Sequence, residues 1–559
     1  MNPALAWLAR GARWVSHGAA LLACRPAARA FDRALRDTEG TQARNLDRIL
    51  NGIAGTAQAQ RLGLRPGLGP ADFRARVPEA AYDDVAASIE RQRGGTPGEL
   101  TAEPCARYQP TSGSSARVKW IPYTAAFLAE LDAAISPWGF DLYQSAPAVR
   151  RGRHYWSLSW LPTSLRAGAE AAPANVNDDR QLLSPVKRAF TALTAAVPPW
   201  VATTDSSDDS FFATTCFLAA ADDLTLLSVW SPTFALNLLE RLTADRQAIA
   251  EVLERGAWDE AHRHFTAPAP RAPRAATLLR AWSGEQAPTF FRQLWPSLAL
   301  VSAWDTAGSA RWAVALGRLL PQARFQGKGL WATEGVVTIP YQGRYPLAVR
   351  SHYFEFVDLD SDRPCFAWEL RPGQTVRPLL TTGGGLLRYR LEDRLVVRDF
   401  LGTTPCFEYL GRLADVDMVG EKMSPQAARA GLDALAGQDA ACRPLSLLAV
   451  TPPGAAEKPR YVALCEGERS VGADDERRGA LLDRSLRAVF HYNLARDLGQ
   501  LAAARVLTLA DARRLYEDIG AARGMISGNM KIEPLLLCDD ARSAALVSER
   551  IAGAIGGGT

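Results

Sequence analysis

The chain contains little lysine and no concentrated charge. Only six of its 64 basic residues are lysine, and its 559 residues carry a net charge of +4. No block of five or more consecutive basic residues occurs, so charge gives no argument for nucleic-acid binding. An ammonium is a compact point charge and a guanidinium a planar fork, so a retained lysine marks a position of interest. Three lie within motif-like segments (Lys119, Lys422, Lys531), and for the other three the simplest interpretation is a solvated surface.

Paired cysteines are also missing. The eight cysteines are scattered, with no C-x-x-C pair. This usage argues against a disulfide framework or a zinc site and is typical of a reducing compartment. We therefore predict a cytoplasmic protein with reduced thiols.

The chain has no predicted transmembrane segment. Its most apolar N-terminal stretch, "ALAWLARGARWVSHGAALLAC", is interrupted by Arg10, Arg13 and His17. It falls short of a membrane span and lacks the uninterrupted core of a signal peptide. We interpret it as an amphipathic helix packed on the protein body, with a weak membrane-surface role as the alternative.

Several common active-site motifs are absent. No G-x-x-x-x-G-K-[ST] sequence is present, and "QGKG" at 326–329 lacks both the earlier glycine and the final hydroxyl. No G-x-G-x-x-G opens a helix, and no G-x-S-x-G elbow occurs. These absences argue against a Walker-type ATPase, a Rossmann dehydrogenase and an α/β-hydrolase.

The length and the pattern of the chain predict two α/β domains. A single compact core does not extend over so many residues. Apolar strands alternate with helical patterns, and the character becomes β-rich from 336 to about 400. We place an N-terminal domain at 1–405 and a C-terminal domain at 411–559.

Individual helices and their ends are also predicted. We expect single helices over 232–256 and 475–499, and a last helix over 511–520. Thr124 and Ser424 are expected to cap the helices that follow them, because their hydroxyls can accept a hydrogen bond from the first turn.

A hydroxyl-rich segment, "TSGSSARVKWIP" at 111–122, precedes a predicted strand. Serine and glycine also cluster in ordinary surface turns, so this segment alone leaves both a turn and a phosphate-binding loop open. Three further segments follow in order: "GLWATEGVVTIP" at 329–340, "TTGGGLLRYRLEDRLVV" at 381–397 with "GRLADVDMVGEKMS" at 411–424, and "ISGNMKIEP" at 526–534.

Together these segments resemble the Gretchen Hagen family of acyl-acid amido synthetases, within the adenylate-forming superfamily. The resemblance runs from about residue 40 to the end of the chain. It implies a luciferase-like α/β fold, with a large N-terminal domain of mixed sheets, helices and a β-barrel-like part. A small mobile α/β lid is implied at the C-terminus.

The resemblance implies a nucleotide site that uses ATP and Mg²⁺. Glycine lets backbone N–H groups approach phosphates, and small hydroxyls donate without bulk. The implied phosphate-binding residues are Thr111, Ser112, Gly113, Ser114, Ser115 and Lys119. For Lys119, a solvated strand position is the alternative.

Thr333 and Glu334 match the family's "TE" pair, and Glu334 can offer a carboxylate oxygen to Mg²⁺. Trp331 is implied to line the adenine pocket, with core packing as the alternative.

Asp393 is implied to bind the ribose and Arg412 to meet the ribose or a phosphate. Lys531 is implied to be the lid lysine that stabilises charge on the α-phosphate. Two departures stand out: Glu392 precedes Asp393 where glycine is common, and Glu533 follows Lys531 where proline and arginine are usual. For Arg412, a surface position at a domain joint remains open.

The implied function is an ATP-dependent ligase. A carboxylic acid would be activated as an acyl adenylate and transferred to an amine or amino acid, with release of AMP and pyrophosphate. One alternative is a ligase that forms thioesters with coenzyme A or a carrier protein. A second is a non-catalytic nucleotide-binding homologue. Aromatic segments at 154–160 and 228–234 suit an aryl or apolar acyl group, although ordinary core packing is the preferred explanation for them.

Overall fold

The computed structural model describes residues 3–111, 119–157, 189, 192–412, 416, 418–419, 421, 423–438, 442–452, 458–468, 473–497, 500–523, 530–538 and 540–555. These residues form two compact units, one ending at residue 410 and one beginning at residue 411. We call them the large unit and the small unit.

Helices surround the sheets of the large unit. In its described part they are α1 (Pro3–Ala34), α2 (Thr38–Gly52), α3 (Ala57–Arg61), α4 (Pro70–Arg76), α5 (Tyr82–Arg93), α6 (Ala125–Ser145), α7 (Ser207–Ala219), α8 (Pro232–Ala244), α9 (Arg246–Arg255), α10 (Pro273–Ala281), α11 (Pro288–Leu294) and α12 (Ala310–Leu319). Short 3-10 turns occur at Pro147–Arg151, Pro199–Thr203 and Ala307–Ser309. The predicted cap of α6 is confirmed, because the Thr124 hydroxyl accepts from the Phe127 N–H at 3.1 Å.

The strands of the large unit form several sheets. They are β1 (Cys105–Thr111), β2 (Lys119–Thr124), β3 (Arg153–Trp156), β4 (Leu224–Ser228), β5 (Leu300–Ser302), β6 (Arg324–Gln326), β7 (Trp331–Ala332), β8 (Gly335–Val336), β9 (Tyr353–Asp358), β10 (Pro364–Phe366), β11 (Thr375–Thr381), β12 (Tyr389–Arg390), β13 (Asp393–Leu401) and β14 (Thr404–Arg412). Two antiparallel pairs, β1–β2 and β7–β8, stand beside the larger sheets.

A parallel sheet lies at the centre of the large unit's α/β part. Its order is β3-β4-β5-β6, and each neighbouring pair is parallel. All residues of β4 and β5 are buried, as expected for a sheet covered by helices on both faces. The β-rich region predicted from 336 onward forms a second sheet, ordered β10-β9-β11-β13-β14, with β12 paired to β11.

The single helix predicted over 232–256 is wrong, because it is divided at Asp245. This residue leaves the helical conformation (φ −94°, ψ 10°) and ends α8 before α9 begins. Aspartate favours helix ends because its short carboxylate competes with helical hydrogen bonds. Gly256 ends α9 as predicted, in a left-handed conformation that glycine adopts readily (φ 70°).

The small unit is a four-stranded sheet with helices packed on it. Its strands, β15 (Arg443–Val450), β16 (Arg460–Glu466), β17 (Arg505–Leu509) and β18 (Leu535–Cys538), are ordered β17-β16-β15-β18. Only the β15–β16 pair among them is antiparallel. The helices in the described part are α13 (Pro425–Gln438), α14 (Ala473–Leu486), α15 (Phe490–Asp497), α16 (Ala512–Ala522) and α17 (Ala541–Ile555).

The Ser424 cap of α13 is confirmed, since its hydroxyl accepts from the Ala427 N–H at 3.1 Å. The single helix predicted over 475–499 is wrong. It breaks between α14 and α15, and the Asp483 carboxylate then accepts from the Tyr492 hydroxyl at 2.6 Å and from Arg496 Nε at 2.9 Å. The helix at 511–520 is not the last element, because β18 and α17 follow it.

The N-terminal helix packs on the large unit as predicted. His17 of α1 bonds the Tyr143 hydroxyl of α6 at 3.0 Å and the Gly152 carbonyl at 2.8 Å. Its ring lies 4.5 Å from that of His154 on β3. No helix in the described part of the chain is both long and apolar enough to cross a membrane.

These two histidines predict a loss of stability in mild acid. Burial lowers the pKa of His17, and burial together with His17 lowers the pKa of His154 to about 3. Below pH 6.5 these two histidines therefore bind protons in the unfolded chain but stay neutral in the folded chain. For His154 this costs up to about 1.4 kcal/mol per pH unit as the pH falls from 6.5 toward 3, and the lowered pKa of His17 adds a loss in the same direction.

The measurement is the free energy of unfolding between pH 7 and pH 5, a range above the ordinary pKa of carboxylates. All 15 tryptophans precede residue 411, so tryptophan fluorescence in urea follows the large unit. A free energy of unfolding that stays constant across this range would contradict the prediction.

Candidate active site

The hairpin β1–β2 carries both ends of the hydroxyl-rich loop. Thr111, at the end of β1, is paired with Lys119 at the start of β2. The loop's remaining predicted phosphate-binding residues lie outside the described residues: Ser112, Gly113, Ser114 and Ser115. Lys119 is half-buried, and its Nζ lies 5.5 Å from the ring centroid of Tyr82. The strand pairing therefore fixes the positions of Thr111 and Lys119, the two residues that flank the rest of the loop.

Tyr123 links this hairpin to the predicted magnesium-binding turn. Its hydroxyl donates to the Thr333 carbonyl at 2.9 Å, and its ring lies 5.0 Å from the Arg107 guanidinium. Burial raises the pKa of Tyr123, which Arg107 opposes and the Glu334 carboxylate reinforces. The phenol is therefore protonated at neutral pH and remains a donor to the turn.

Thr333 and Glu334 form the turn of the β7–β8 hairpin. Glu334 is half-buried, and the Tyr389 hydroxyl donates to its Oε1 at 3.4 Å. Gly335 is required by a close approach, because a Cβ at this position would lie 2.7 Å from Nε2 of His352. The turn thus holds one carboxylate at a partly open position.

A buried pair, Glu130 and His352, is hydrogen-bonded to β8, the strand that follows this turn. Nδ1 of His352 donates to Oε2 of Glu130 at 2.7 Å, and Nε2 accepts from the Val336 N–H at 3.3 Å. Since Nε2 is an acceptor, the ring is neutral with its proton on Nδ1. The Glu130 carboxylate also accepts from the Gly383 N–H at 2.9 Å and from Arg48 at 3.1 Å.

This pair joins three segments that the sequence places far apart: helix α6, strand β8 and the glycine-rich segment 381–385. Sequence reasoning missed both members, and no motif signals them, because their contact spans 222 residues. Their side chains are at most 1% exposed. A paired, fully hydrogen-bonded carboxylate of this kind fixes the backbone around it.

Asp393 begins β13 and is 5% exposed. Its Oδ1 accepts from the Tyr409 hydroxyl of the neighbouring strand β14 at 3.0 Å. The preceding Glu392, which departs from the family pattern, pairs with Nε of Arg390 at 2.7 Å at the surface. Asp393 follows Tyr389 by four residues, so the predicted ribose- and magnesium-binding carboxylates are joined through a short β12–β13 connection.

Two predicted site residues lie in the small unit, which includes the last two residues of β14. Arg412 ends β14, and its side chain lies outside the described residues. Lys531 is half-buried, and its carbonyl accepts from the Tyr516 hydroxyl at 3.1 Å. The same hydroxyl accepts from the Glu533 N–H at 3.0 Å, which fixes the backbone on both sides of the segment that carries Lys531.

The donor set fits a magnesium ion shared with a nucleotide. Among the described residues no three His, Cys, Asp or Glu side chains converge as a metal cage. Mg²⁺ is commonly held by one or two carboxylates, with waters and substrate phosphates completing its shell. The half-buried Glu334 suits that single-carboxylate role.

Trp331 belongs to a cluster of tryptophan rings. Its ring centroid lies 5.4 Å from that of Trp138 and 5.3 Å from that of Trp230. The Nζ atom of Lys328 lies 5.3 Å from the ring centroid of Trp138 and 4.7 Å from that of Trp230. Lys328 is only 2% exposed, so the surface interpretation of this lysine is wrong. The role of Trp331 in the adenine pocket stays a prediction.

Two family models match the chain. The GH3 family N-terminal domain matches residues 27–325, and the GH3 family central domain matches residues 345–412. The chain belongs to the GH3 family.

Curated GH3 proteins with similar sequences come from plants. Indole-3-acetic acid-amido synthetase GH3.8 of Oryza sativa subsp. indica is 24% identical over 434 residues, which is 69% of this chain and 68% of that protein. Indole-3-acetic acid-amido synthetase GH3.15 of Arabidopsis thaliana is 22% identical over 376 residues, which is 61% of this chain and 62% of that protein.

A solved GH3 structure shares the fold. The AtGH3.15 acyl acid amido synthetase in complex with 2,4-DB superposes with a TM-score of 0.75 at 17% identity, over 94% of this chain and 95% of that chain. The predicted resemblance and the predicted fold class are therefore confirmed. The prediction of an amide-forming ligase is confirmed at the level of the family. The roles of the individual site residues and the exact domain limits remain predictions.

Proposed function

We propose that this GH3 protein is an ATP-dependent acyl acid amido synthetase. A carboxylate oxygen attacks the α-phosphorus of ATP, the bond to the β-phosphate oxygen breaks, and pyrophosphate leaves. An amine or amino acid then attacks the acyl carbon, and AMP departs as the amide forms. AMP is a far better leaving group than the oxygen of a free carboxylate, so ATP cleavage drives the overall condensation.

The observation that carries the proposal is the linkage of three motif segments within the large unit. Tyr123 connects the hairpin of Thr111 and Lys119 to the Thr333–Glu334 turn. Tyr389 connects that turn to the segment that leads into Asp393. A phosphate loop, a metal-binding carboxylate and a ribose-binding carboxylate are the three parts that a Mg·ATP site needs.

We assign a binding role to each predicted residue. Thr111 to Ser115 and Lys119 hold the β- and γ-phosphates, Asp393 and Arg412 bind the ribose, and Trp331 lines the adenine pocket. Glu334 holds Mg²⁺, which supplies charge neutralisation to the phosphates when it is bound. Lys531 stabilises the charge that builds on the α-phosphate.

The substrates are proposed to be a small carboxylic acid and an amine. The names of the plant relatives support an arylacetic acid, since they are indole-3-acetic acid-amido synthetases. A cytoplasmic location is proposed as well. It is supported by eight cysteines that are all free thiols in the structure.

A panel of acids and acceptors tests the function. The purified chain is incubated with ATP, Mg²⁺, one acid and either an amino acid or coenzyme A, and AMP and product mass are measured. We expect one AMP for each amide formed. Thioester formation with coenzyme A in place of an amide would overturn the choice of acceptor, and the absence of AMP release with every acid tested would overturn the ligase proposal.

A further inference from the structure

Helix α1 carries large apolar side chains that are exposed. Trp14 is 68% exposed, Val15 62% and Leu22 65%, and these values are among the highest for large apolar residues in the described part of the chain. Leu22 follows Trp14 by eight residues and Val15 by seven, which is about two helical turns. The three side chains therefore share one side of the helix. Single exposed apolar residues are ordinary, whereas several on one side indicate an interaction surface.

The opposite side of α1 is fixed to the large unit. His17, Ala28 and Phe31 lie on that side and are at most 1% exposed. Arg13 forms an ion pair with Asp223 at 2.8 Å. The helix therefore does not have to leave the large unit to present its exposed side to a partner.

The exposed side of α1 becomes basic toward the C-terminal end of the helix. Arg25, Arg29 and Arg33 follow Leu22 at intervals of three and four residues, are exposed, and form no ion pair with another described residue. Asp32 is the only acidic residue in the helix. We call the exposed side the outer face, and its residues are Trp14, Val15, Leu22, Arg25, Arg29 and Arg33. The outer face therefore combines apolar residues with net positive charge.

An anionic lipid membrane fits this combination of residues. Tryptophan and leucine side chains are buried favourably at the boundary between lipid headgroups and acyl chains. Arginine guanidiniums bind phosphate groups through several N–H donors, and the apolar stems of these side chains lie along the same boundary. The outer face offers both kinds of contact along one helix.

A protein partner fits the outer face less well. A second copy of α1 would bring like charges together, because the helix offers only one carboxylate, Asp32, whose Oδ1 already accepts from the Tyr341 hydroxyl at 2.7 Å. Trp14, Val15 and Leu22 together also expose less apolar surface than the about 800 Å² that each partner buries in a stable protein interface. The charge and the area therefore favour a lipid surface.

We propose that the outer face of α1 is a docking surface for membranes that contain anionic lipids. Trp14 and Leu22 enter the boundary between headgroups and acyl chains, and the three arginines bind lipid phosphates. The helix lies along the membrane surface and stays packed on the large unit through its buried side. Docking of this kind is independent of the ligase reaction, so it is measured without substrates.

Binding of the full-length protein to vesicles tests this docking surface. The protein is mixed with vesicles of phosphatidylcholine alone or of equal parts phosphatidylcholine and phosphatidylglycerol, and the bound fraction is measured by sedimentation. Wild-type protein is expected to bind the mixed vesicles more tightly by about tenfold or more. This binding is expected to weaken as salt is added, because ions screen the charges at the membrane surface.

Two variants separate the charge of the outer face from its apolar contact. Combined Arg25→Gln, Arg29→Gln and Arg33→Gln substitutions are expected to lower the affinity for mixed vesicles by about 10²-fold, or roughly fivefold for each arginine. Combined Trp14→Gln and Leu22→Gln substitutions are expected to lower it by about tenfold or more, because two side chains lose their burial in the membrane. If the second variant fails to fold, the arginine variant still decides the result.

Matched controls change exposed side chains elsewhere on the large unit. Combined Arg65→Gln, Arg292→Gln and Arg371→Gln substitutions remove the same charge from exposed positions outside α1. Val314→Gln removes an apolar side chain that is 55% exposed on α12. Both controls are expected to keep the vesicle affinity of the wild type within about twofold, since long-range attraction to the membrane falls off within a Debye length.

Three results would overturn the docking surface. Wild-type protein that binds both kinds of vesicle equally, or neither, has no preference for anionic lipids. An equal loss in the two arginine variants, at 25, 29 and 33 and at 65, 292 and 371, would assign the binding to net charge instead of to α1. A wild-type dimer that becomes monomeric in the Trp14→Gln and Leu22→Gln variant, without vesicle binding, would assign the outer face to a second copy of the chain.

Discussion

Replacement of Glu334 by glutamine is expected to lower the rate of acyl-adenylate formation by about 10²–10³-fold, the loss typical of removing one preorganised electrostatic group. The amide has nearly the same shape and can keep the contact with the Tyr389 hydroxyl, which lies 3.4 Å from Oε1. It cannot supply the negative charge that a hard divalent cation prefers. The turn should stay folded while magnesium binding weakens.

The measurement is ATP–pyrophosphate exchange as a function of Mg²⁺ concentration. Glu334→Gln is expected to need more Mg²⁺ for half-maximal exchange, since a ligand to the ion is weakened. Glu392→Gln is the matched control: it lies in another motif segment, its side chain is 38% exposed, and it forms a surface ion pair with Arg390. An equal decrease in both variants, or an unchanged Mg²⁺ dependence in Glu334→Gln, would contradict the metal role.

Local signals in the sequence predicted the elements that carry the site. The hydroxyls of Thr124 and Ser424 cap the helices that they precede, because capping depends on atoms within one turn. The strand after the hydroxyl-rich loop and the β-rich region beyond residue 336 were predicted from alternating and β-branched residues in the same way. The order of the motif segments then predicted the family.

Contacts between distant segments were not predictable. The Glu130–His352 pair joins helix α6 to the Glu334 turn, and neither residue lies in a recognisable motif. Lys328 looked like a surface residue because its burial depends on Trp138 and Trp230, which lie 190 and 98 residues away in the chain. Whether such a residue is buried or paired depends on its partners elsewhere in the fold, and a single sequence does not reveal those partners.

The division of the helix predicted over 475–499 also depends on contacts that the sequence does not reveal. Nothing within the 475–499 pattern breaks its helical spacing strongly. The break is stabilised by Asp483, which accepts from the Tyr492 hydroxyl, from Arg496 and from the Ala504 N–H at 3.0 Å. Two of these three donors reach Asp483 only when α15 turns away from α14, so a tertiary cluster overrides the local preference.

Lys531→Ala is expected to lower acyl-adenylate formation by about 10²–10³-fold. In that step the α-phosphate gains negative charge as the carboxylate attacks, and a neighbouring ammonium stabilises the transition state more than bound ATP. The substitution leaves the backbone anchors untouched: the Tyr516 hydroxyl still donates to the residue 531 carbonyl, and the Ser446 hydroxyl still donates to the Glu533 carbonyl at 2.7 Å. A loss of rate would therefore result from the missing ammonium group and not from a change in the fold.

Two assays separate the steps that Lys531 could serve. Pyrophosphate exchange reports adenylation alone, and aminolysis of a supplied acyl adenylate reports amide formation alone. Exchange is expected to fall in Lys531→Ala while aminolysis retains most of its rate, because in aminolysis the nucleophile attacks the acyl carbon and no bond forms at the α-phosphorus. Lys458→Ala, at an exposed position of the same unit, is the matched control. If Lys531→Ala and Lys458→Ala catalyse exchange at equal rates, the charge that stabilises adenylation must come from another residue.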